Sequence, residues 1–183
     1  QYVVSDFARG TYQTIDKLQP GDRVLIPTVW SPRTYNEAWS GMIPMVTHIL
    51  EKGGRIVVVS TSAISIPIDM GVFIPRWLGS DFSKHADYGK TWVYLGYVYD
   101  ATAYSSAIPA LATNFRSLCT KDYLGTSLDD IPLMKGVTGA KDFKLVLSAT
   151  GGVQPKTFGV EWFLPYGVPV IHIEDSGCVA AYI

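Results

Sequence analysis

The run Ile56-Val57-Val58-Val59 constrains this chain more than any other feature. It is unbroken, mostly β-branched, and bounded by Gly53-Gly54 before it and Ser60-Thr61-Ser62 after it. A strand with one face in water alternates apolar and polar residues, so a short continuous run marks a strand buried on both faces. Arg23 to Trp30, Thr91 to Val98, Phe143 to Ser148 and Val168 to Ile173 carry the same signature. Strands of this kind, separated by helical stretches, predict a three-layer α/β sandwich with a mostly parallel sheet, Rossmann-like or flavodoxin-like.

The intervening segments read as follows. Thr11 to Leu18 is a short helix stopped by Pro20-Gly21-Asp22. From Asn36 to Lys52, Trp39, Met42, Ile43, Val46, Ile49 and Leu50 recur at helical spacing, with Asn36 as N-cap and Gly53-Gly54 as stop. Pro44 predicts a kink there or a later start. Pro67 to Tyr88 is too interrupted for one period, although Ser80 to Lys84 fits a helical turn. Ala101 to Leu118 and Thr157 to Leu164 read as helices, and Lys121 to Gly139 as loop. Ile131, Leu133 and Met134 make that loop packed irregular chain rather than a lid. Trp92, Tyr94 and Trp162 read as core residues.

The chain has 183 residues, one domain's worth, with 15 Lys+Arg against 16 Asp+Glu and a net charge of -1. That balance speaks against a nucleic-acid partner, whose footprint is a basic excess, and 48% hydrophobic residues speak against disorder. The longest stretch without charge, Ala101 to Phe115, is too short and too polar to span a bilayer. Both ends are abrupt, Gln1 without a leader and Val179 to Ile183 inside an apolar stretch. The expectation is one α/β domain over residues 1–183, with residues 1–20 as a flank and short helix, cut from a longer protein at both ends.

In a parallel sheet of this type, ligands sit beyond the carboxyl ends of the strands, near the point where strand order reverses. The richest loops there are Thr150-Gly151-Gly152 and Ser176-Gly177-Cys178, where small residues let backbone amides approach a polar ligand. The same residues are also ordinary strand-to-helix turn chemistry. Neither phosphate motif is present: Gly151-Gly152 lacks the Lys-Ser/Thr of a P-loop, and no GxGxxG follows a strand. No cofactor is therefore expected.

Cys178 is the one candidate nucleophile, because a thiol just past a strand in a Gly turn can gain thiolate character. His172, six residues earlier on the same strand, is badly placed as its base. A buried, inert thiol is the alternative for Cys178. Cys119 falls at a helix end, and two cysteines make no disulfide framework. His48 lies inside a helix and His85 in a polar stretch, and no spacing among the three histidines makes a metal site. Asp129-Asp130 and Glu174-Asp175 read as solvated or capping carboxylates.

Three stretches carry a resemblance: Tyr88-Gly89-Lys90-Thr91-Trp92-Val93-Tyr94-Leu95-Gly96-Tyr97, Lys121-Asp122-Tyr123-Leu124-Gly125-Thr126, and Ile131-Pro132-Leu133-Met134-Lys135-Gly136-Val137. With Leu145-Val146, Ser148, Gly151, Trp162 and Gly177-Cys178-Val179-Ala180, they resemble an uncharacterised archaeal and bacterial family of membrane-anchored proteins with one Rossmann-like domain. The likeness runs from Asp22 onward. It implies a membrane-anchored parent, with transmembrane helices in an N-terminal part and a Gly-rich C-terminal segment, both absent from this chain. It implies no chemistry. The chain departs from the family at Glu174-Asp175-Ser176, where small residues are usual, and at Thr126-Ser127, where Thr-Pro is usual. The first departure puts negative charge beside the pocket and weakens an anion-binding reading.

The leading reading is a noncatalytic domain of a membrane-anchored protein that binds a small polar ligand or a partner through Thr150, Gly151, Gly152, Ser176, Gly177 and Cys178. The alternatives are an amidotransferase-like or hydrolase-like enzyme with Cys178 as nucleophile, and an assembly domain forming a homo-oligomer.

Overall fold

The computed structural model describes residues 5–77, 87–99, 107–150 and 154–174. Its centre is a five-stranded sheet built from β1 (Arg23–Val29), β2 (Arg55–Ser60), β3 (Trp92–Tyr97), β4 (Leu145–Thr150) and β5 (Val170–Glu174). Every pairing is parallel and the order is β3-β2-β1-β4-β5. This is the doubly wound order of the Rossmann-like class, and it reverses between β1 and β4. The alternation of sides along each strand explains the continuous runs. Val24, Ile26, Ile56, Val58, Leu145 and Leu147 enter one core, and Leu25, Val57, Val59 and Val146 enter the other. Each fully buried aliphatic side chain stabilises the fold by roughly 1.5–3 kcal/mol, which a half-exposed strand would forfeit on one face.

The first core lies under α1 (Asp6–Asp16) and α2 (Pro32–Glu51). Both helices begin earlier than their apolar periods predict, because serines cap them. Ser5 Oγ accepts from Ala8 N at 3.2 Å and Ser31 Oγ from Thr34 N at 3.1 Å. Ser31 is followed by Pro32, whose fixed φ and missing N–H suit a first helical position, so Asn36 is not the cap. The helix runs unbroken through Pro44 to Lys52, and Gly53, at φ +74°, takes the left-handed turn that ends it.

The second core is covered by α5 (Ala107–Thr113), α6 (Gln154–Phe158) and α7 (Leu164–Tyr166). The helix expected from Ala101 to Leu118 is shorter among the described residues. It stops at Asn114 because Phe115 N–H bonds to Thr138 O at 2.8 Å, and a 3-10 turn over Phe115–Ser117 follows. Residues 131–137 are irregular but packed, with Ile131, Leu133 and Met134 buried. Two arginines hold their carbonyls: Arg23 Nε donates to Leu133 O at 2.8 Å, and Arg116 Nη2 to Met134 O at 2.7 Å.

Two π-turns interrupt the helical segments. After β2 the chain passes from a 3-10 turn (Ala63–Ser65) through α3 (Ile66–Ile68) and a π-turn (Asp69–Phe73) into α4 (Ile74–Trp77). A second π-turn, Gly159–Phe163, joins α6 to α7. In each case a proline, Pro75 or Pro165, stands second in the helix that follows. It cannot donate to the carbonyl four residues back, and the widened turn accommodates that loss. The proposed turn at Ser80 to Lys84 lies outside the described residues.

Candidate functional site

The described residues bury ten polar or charged side chains. All but Asp122 and Ser148 lie in, or follow, the last two residues of a strand at the carboxyl edge of the sheet. They form two groups, one on each face.

On the α2 face, Asp69 is fully buried at the start of the first π-turn. Its Oδ2 accepts from Thr28 Oγ1 of β1 at 2.8 Å and from Ser60 Oγ of β2, and Tyr94 OH of β3 lies 2.8 Å from Ser60 Oγ. One carboxylate thus ties the ends of β1 and β2 and the middle of β3 to the segment after β2. Desolvation pushes the Asp69 carboxyl up to about 6, with the Ser60 and Thr28 hydroxyls opposing that rise. The Trp30 indole also favours the ionised form, although its Nε1 and Asp69 Oδ1 fall outside hydrogen-bond geometry. Ser65 Oγ accepts from Trp30 N at 2.7 Å and fixes the turn out of β1.

On the opposite face, Thr61 and Gln154 bond to each other at 3.0 Å, linking the end of β2 to the start of α6. A second pair lies on the same face. Ser148 of β4 and His172 of β5 stand in register on neighbouring strands, and both point away from the α2 face. Ser148 Oγ and both ring nitrogens of His172 are buried without a hydrogen-bond partner. Desolvation lowers His172 to about 4, so its ring is neutral at physiological pH and offers one donor and one acceptor. Hydrogen bonding toward the Ser148 backbone opposes that shift.

Of the site residues expected from sequence, Thr150 closes β4 in register with Val29 and Glu174. Gly151, Gly152, Ser176, Gly177 and Cys178 lie outside the described residues. Ser148 and His172 stand two residues before Thr150 and Glu174, the last residues of their strands. Cys119 is a packing residue, its thiol pushed up to about 12 by burial. Among the described residues no group of three or more His, Cys, Asp or Glu side chains could hold a metal.

Asp69 escapes a reading by motif because it stands alone in an irregular stretch. The available signal is a single charge within Ile66-Pro67-Ile68-Asp69-Met70-Gly71-Val72-Phe73, flanked by apolar residues with no solvated face. No family model, curated protein or solved structure matches this chain.

Proposed function

We propose that this chain is a noncatalytic domain of a membrane-anchored protein and that it binds a small polar ligand at the carboxyl edge of its sheet, over β4 and β5. The observation that carries this reading is the Ser148 and His172 pair, whose three polar atoms are buried with no protein partner. Burying such a group unsatisfied costs about 1–3 kcal/mol, a cost that a ligand group bonded to it removes. A hydroxyl and a neutral imidazole both donate and accept, so they fit a hydroxyl or amide group better than a bare anion. The acidic Glu174-Asp175 sequence that follows points the same way. The membrane anchor rests on the family resemblance, which puts it in segments absent from this chain; among the described residues no helix is long and apolar enough to cross a membrane. Thiol chemistry at Cys178 gains no support from the described residues.

The test follows the His172 ring resonances by NMR while polyols, primary amides and amino acids are titrated into the chain. The expected result is a ligand that moves His172 and raises the Tm. Ser148→Ala is then expected to weaken that ligand about tenfold, or about 1.4 kcal/mol, without loss of stability. A panel that leaves both His172 and the Tm unmoved overturns the reading.

A further inference from the structure

Asp142, Asp122 and Asp69 are held by different kinds of donor. Asp142 Oδ2 accepts from the backbone N–H groups of Thr138 at 2.7 Å and Gly139 at 3.1 Å, and from Thr138 Oγ1 at 3.0 Å. Asp122 Oδ1 accepts from Thr126 N at 2.7 Å and its Oδ2 from Tyr88 OH at 2.7 Å. A backbone N–H can only donate, so both sites are built for an ionised carboxylate. Desolvation by itself would raise Asp142, yet the Thr138 and Gly139 bonds hold it below the ordinary carboxylate range.

Asp69 has no such donor among the described residues. The partners of its Oδ2 are all hydroxyls: Thr28 Oγ1 at 2.8 Å, Ser60 Oγ, and Tyr94 OH at 3.4 Å. A hydroxyl can donate or accept, so this set serves either protonation state. With the carboxyl ionised, Thr28 and Ser60 donate to it, and Tyr94 OH, 2.8 Å from Ser60 Oγ, donates to Ser60. With the carboxyl neutral, its O–H donates to Ser60 Oγ, Ser60 donates to Tyr94 OH, and Thr28 Oγ1 turns to Val59 O, 3.4 Å away. The other oxygen, Oδ1, is buried with no donor. Leaving it so costs less as the oxygen of a neutral carbonyl than as half of a carboxylate, which works against permanent ionisation.

From this donor set we infer that Asp69 is a buried proton-binding site, loaded and unloaded within the folded chain, and that the hydroxyls of Ser60 and Tyr94 reverse their hydrogen bonds each time. On loading, one proton from solvent water bonds to Oδ2; on unloading it returns to water, and only hydrogen bonds change otherwise. Burial places the exchange at about pH 6, against the pull of the Ser60 and Thr28 hydroxyls. The side chains around Asp69 leave its state free to change. Thr28 of β1, Trp30 just after it and Ser60 of β2 do not titrate, and Tyr94 of β3 is raised by burial and stays neutral. From α2, Tyr35 stands edge-on to Trp30 at 5.5 Å, and burial raises it too. Arg76, further along Asp69's own segment, lies over Trp39 at 5.4 Å and lowers Tyr35 in opposition to burial. On its other side Tyr94 packs against Tyr123, with ring centroids 5.2 Å apart, and Tyr123 is 45% exposed. The buried proton is thereby coupled to an aromatic side chain at the surface, which makes the cluster a pH-sensitive switch. It is independent of ligand binding over β4 and β5.

The test is carbon NMR of the full chain, labelled at aspartate Cγ and tyrosine Cζ and titrated from about pH 8 to about pH 4. The expected result is an Asp69 signal that moves with a midpoint near 6 while Asp142 stays ionised, with the amide spectrum dispersed throughout. Tyr94 Cζ is expected to follow with the same midpoint. Asp69→Asn should abolish that tyrosine shift. Ser60→Ala should keep the Asp69 titration and reduce the Tyr94 shift at least about twofold, because the hydroxyl between them is gone. A Tyr94 shift of full size in Ser60→Ala overturns the reversal. In the unaltered chain, an Asp69 signal that is constant over the whole range, one that moves only where the amide spectrum collapses, or a Tyr94 signal that ignores Asp69 overturns the inference.

Discussion

Asp69, fully buried, and His172, half-buried with both ring nitrogens enclosed, are titratable groups at one end of one sheet, and they differ in what surrounds them. Asp69 lies on the α2 face among hydroxyls supplied by β1, β2 and β3, so the burial of its Oδ2 is partly offset by hydrogen bonds, while its Oδ1 has none. His172 lies on the other face beside Ser148, and neither side chain finds a partner. A satisfied cluster binds elements of the fold to one another, whereas an unsatisfied one retains hydrogen-bonding capacity for something else. The contrast separates a structural tie from a candidate site in residues that sequence alone would class together as buried and polar.

The sharpest way to break the comparison is to remove the centre of the tie. Asp69→Ala strands the Thr28 and Ser60 hydroxyls and is expected to cost about 4 kcal/mol by urea denaturation at about pH 5. An effect below about 1 kcal/mol would show that the hydroxyls simply re-pair with one another.

Next in size is the pH dependence, where the two groups act in opposite directions. Asp69, raised to about 6, contributes stability below its ordinary value of 3.8 and loses it as the pH rises through 6. His172, lowered to about 4, contributes stability above its ordinary 6.5 and loses it as the pH falls through 4. Each contribution is roughly 3 kcal/mol, so between pH 4 and 6 the two slopes nearly cancel. Asp69→Asn should therefore leave a chain that weakens by roughly 3 kcal/mol on acidification from pH 6.5 to 4, and His172→Leu one that strengthens by a similar amount. Denaturation midpoints across that range measure both. Parallel slopes in the two variants would mean that one of these groups does not titrate as its surroundings dictate.

The smallest effects compare two serines. Ser60→Ala removes a donor to Asp69 and is expected to cost about 1–2 kcal/mol, while Ser148→Ala removes a hydroxyl with no partner and should be neutral or stabilising by up to about 1 kcal/mol. Equal losses at the two positions would erase the distinction between the clusters.

The sheet was legible because its signal is local. Ile56 to Val59 and its four counterparts carry burial on both faces in their own composition, and each observed strand falls within two residues of its expected bounds. The helices were less legible at their ends, since Ser5 and Ser31 cap through side-chain bonds that an apolar period does not register. Asn114 ends α5 for a reason that lies 24 residues further on, in the carbonyl of Thr138. For the site, the expectation from sequence was the loops after β4 and β5, of which only Thr150 lies among the described residues. The pairing of Ser148 with His172 was not visible, because each residue alone is unremarkable in a strand.

The amino-acid sequence by itself determined that buried parallel strands alternate with helical segments, and hence the layered α/β architecture, since hydrophobic periodicity is a property of neighbours in the chain. Only the tertiary structure decided which polar side chains meet, and that Asp69 Oδ2 is held by hydroxyls from three strands while Ser148 and His172 find no side-chain partner. Those outcomes depend on strand order, register and side-chain direction, which bring together residues separated by tens of positions and leave no trace in local composition.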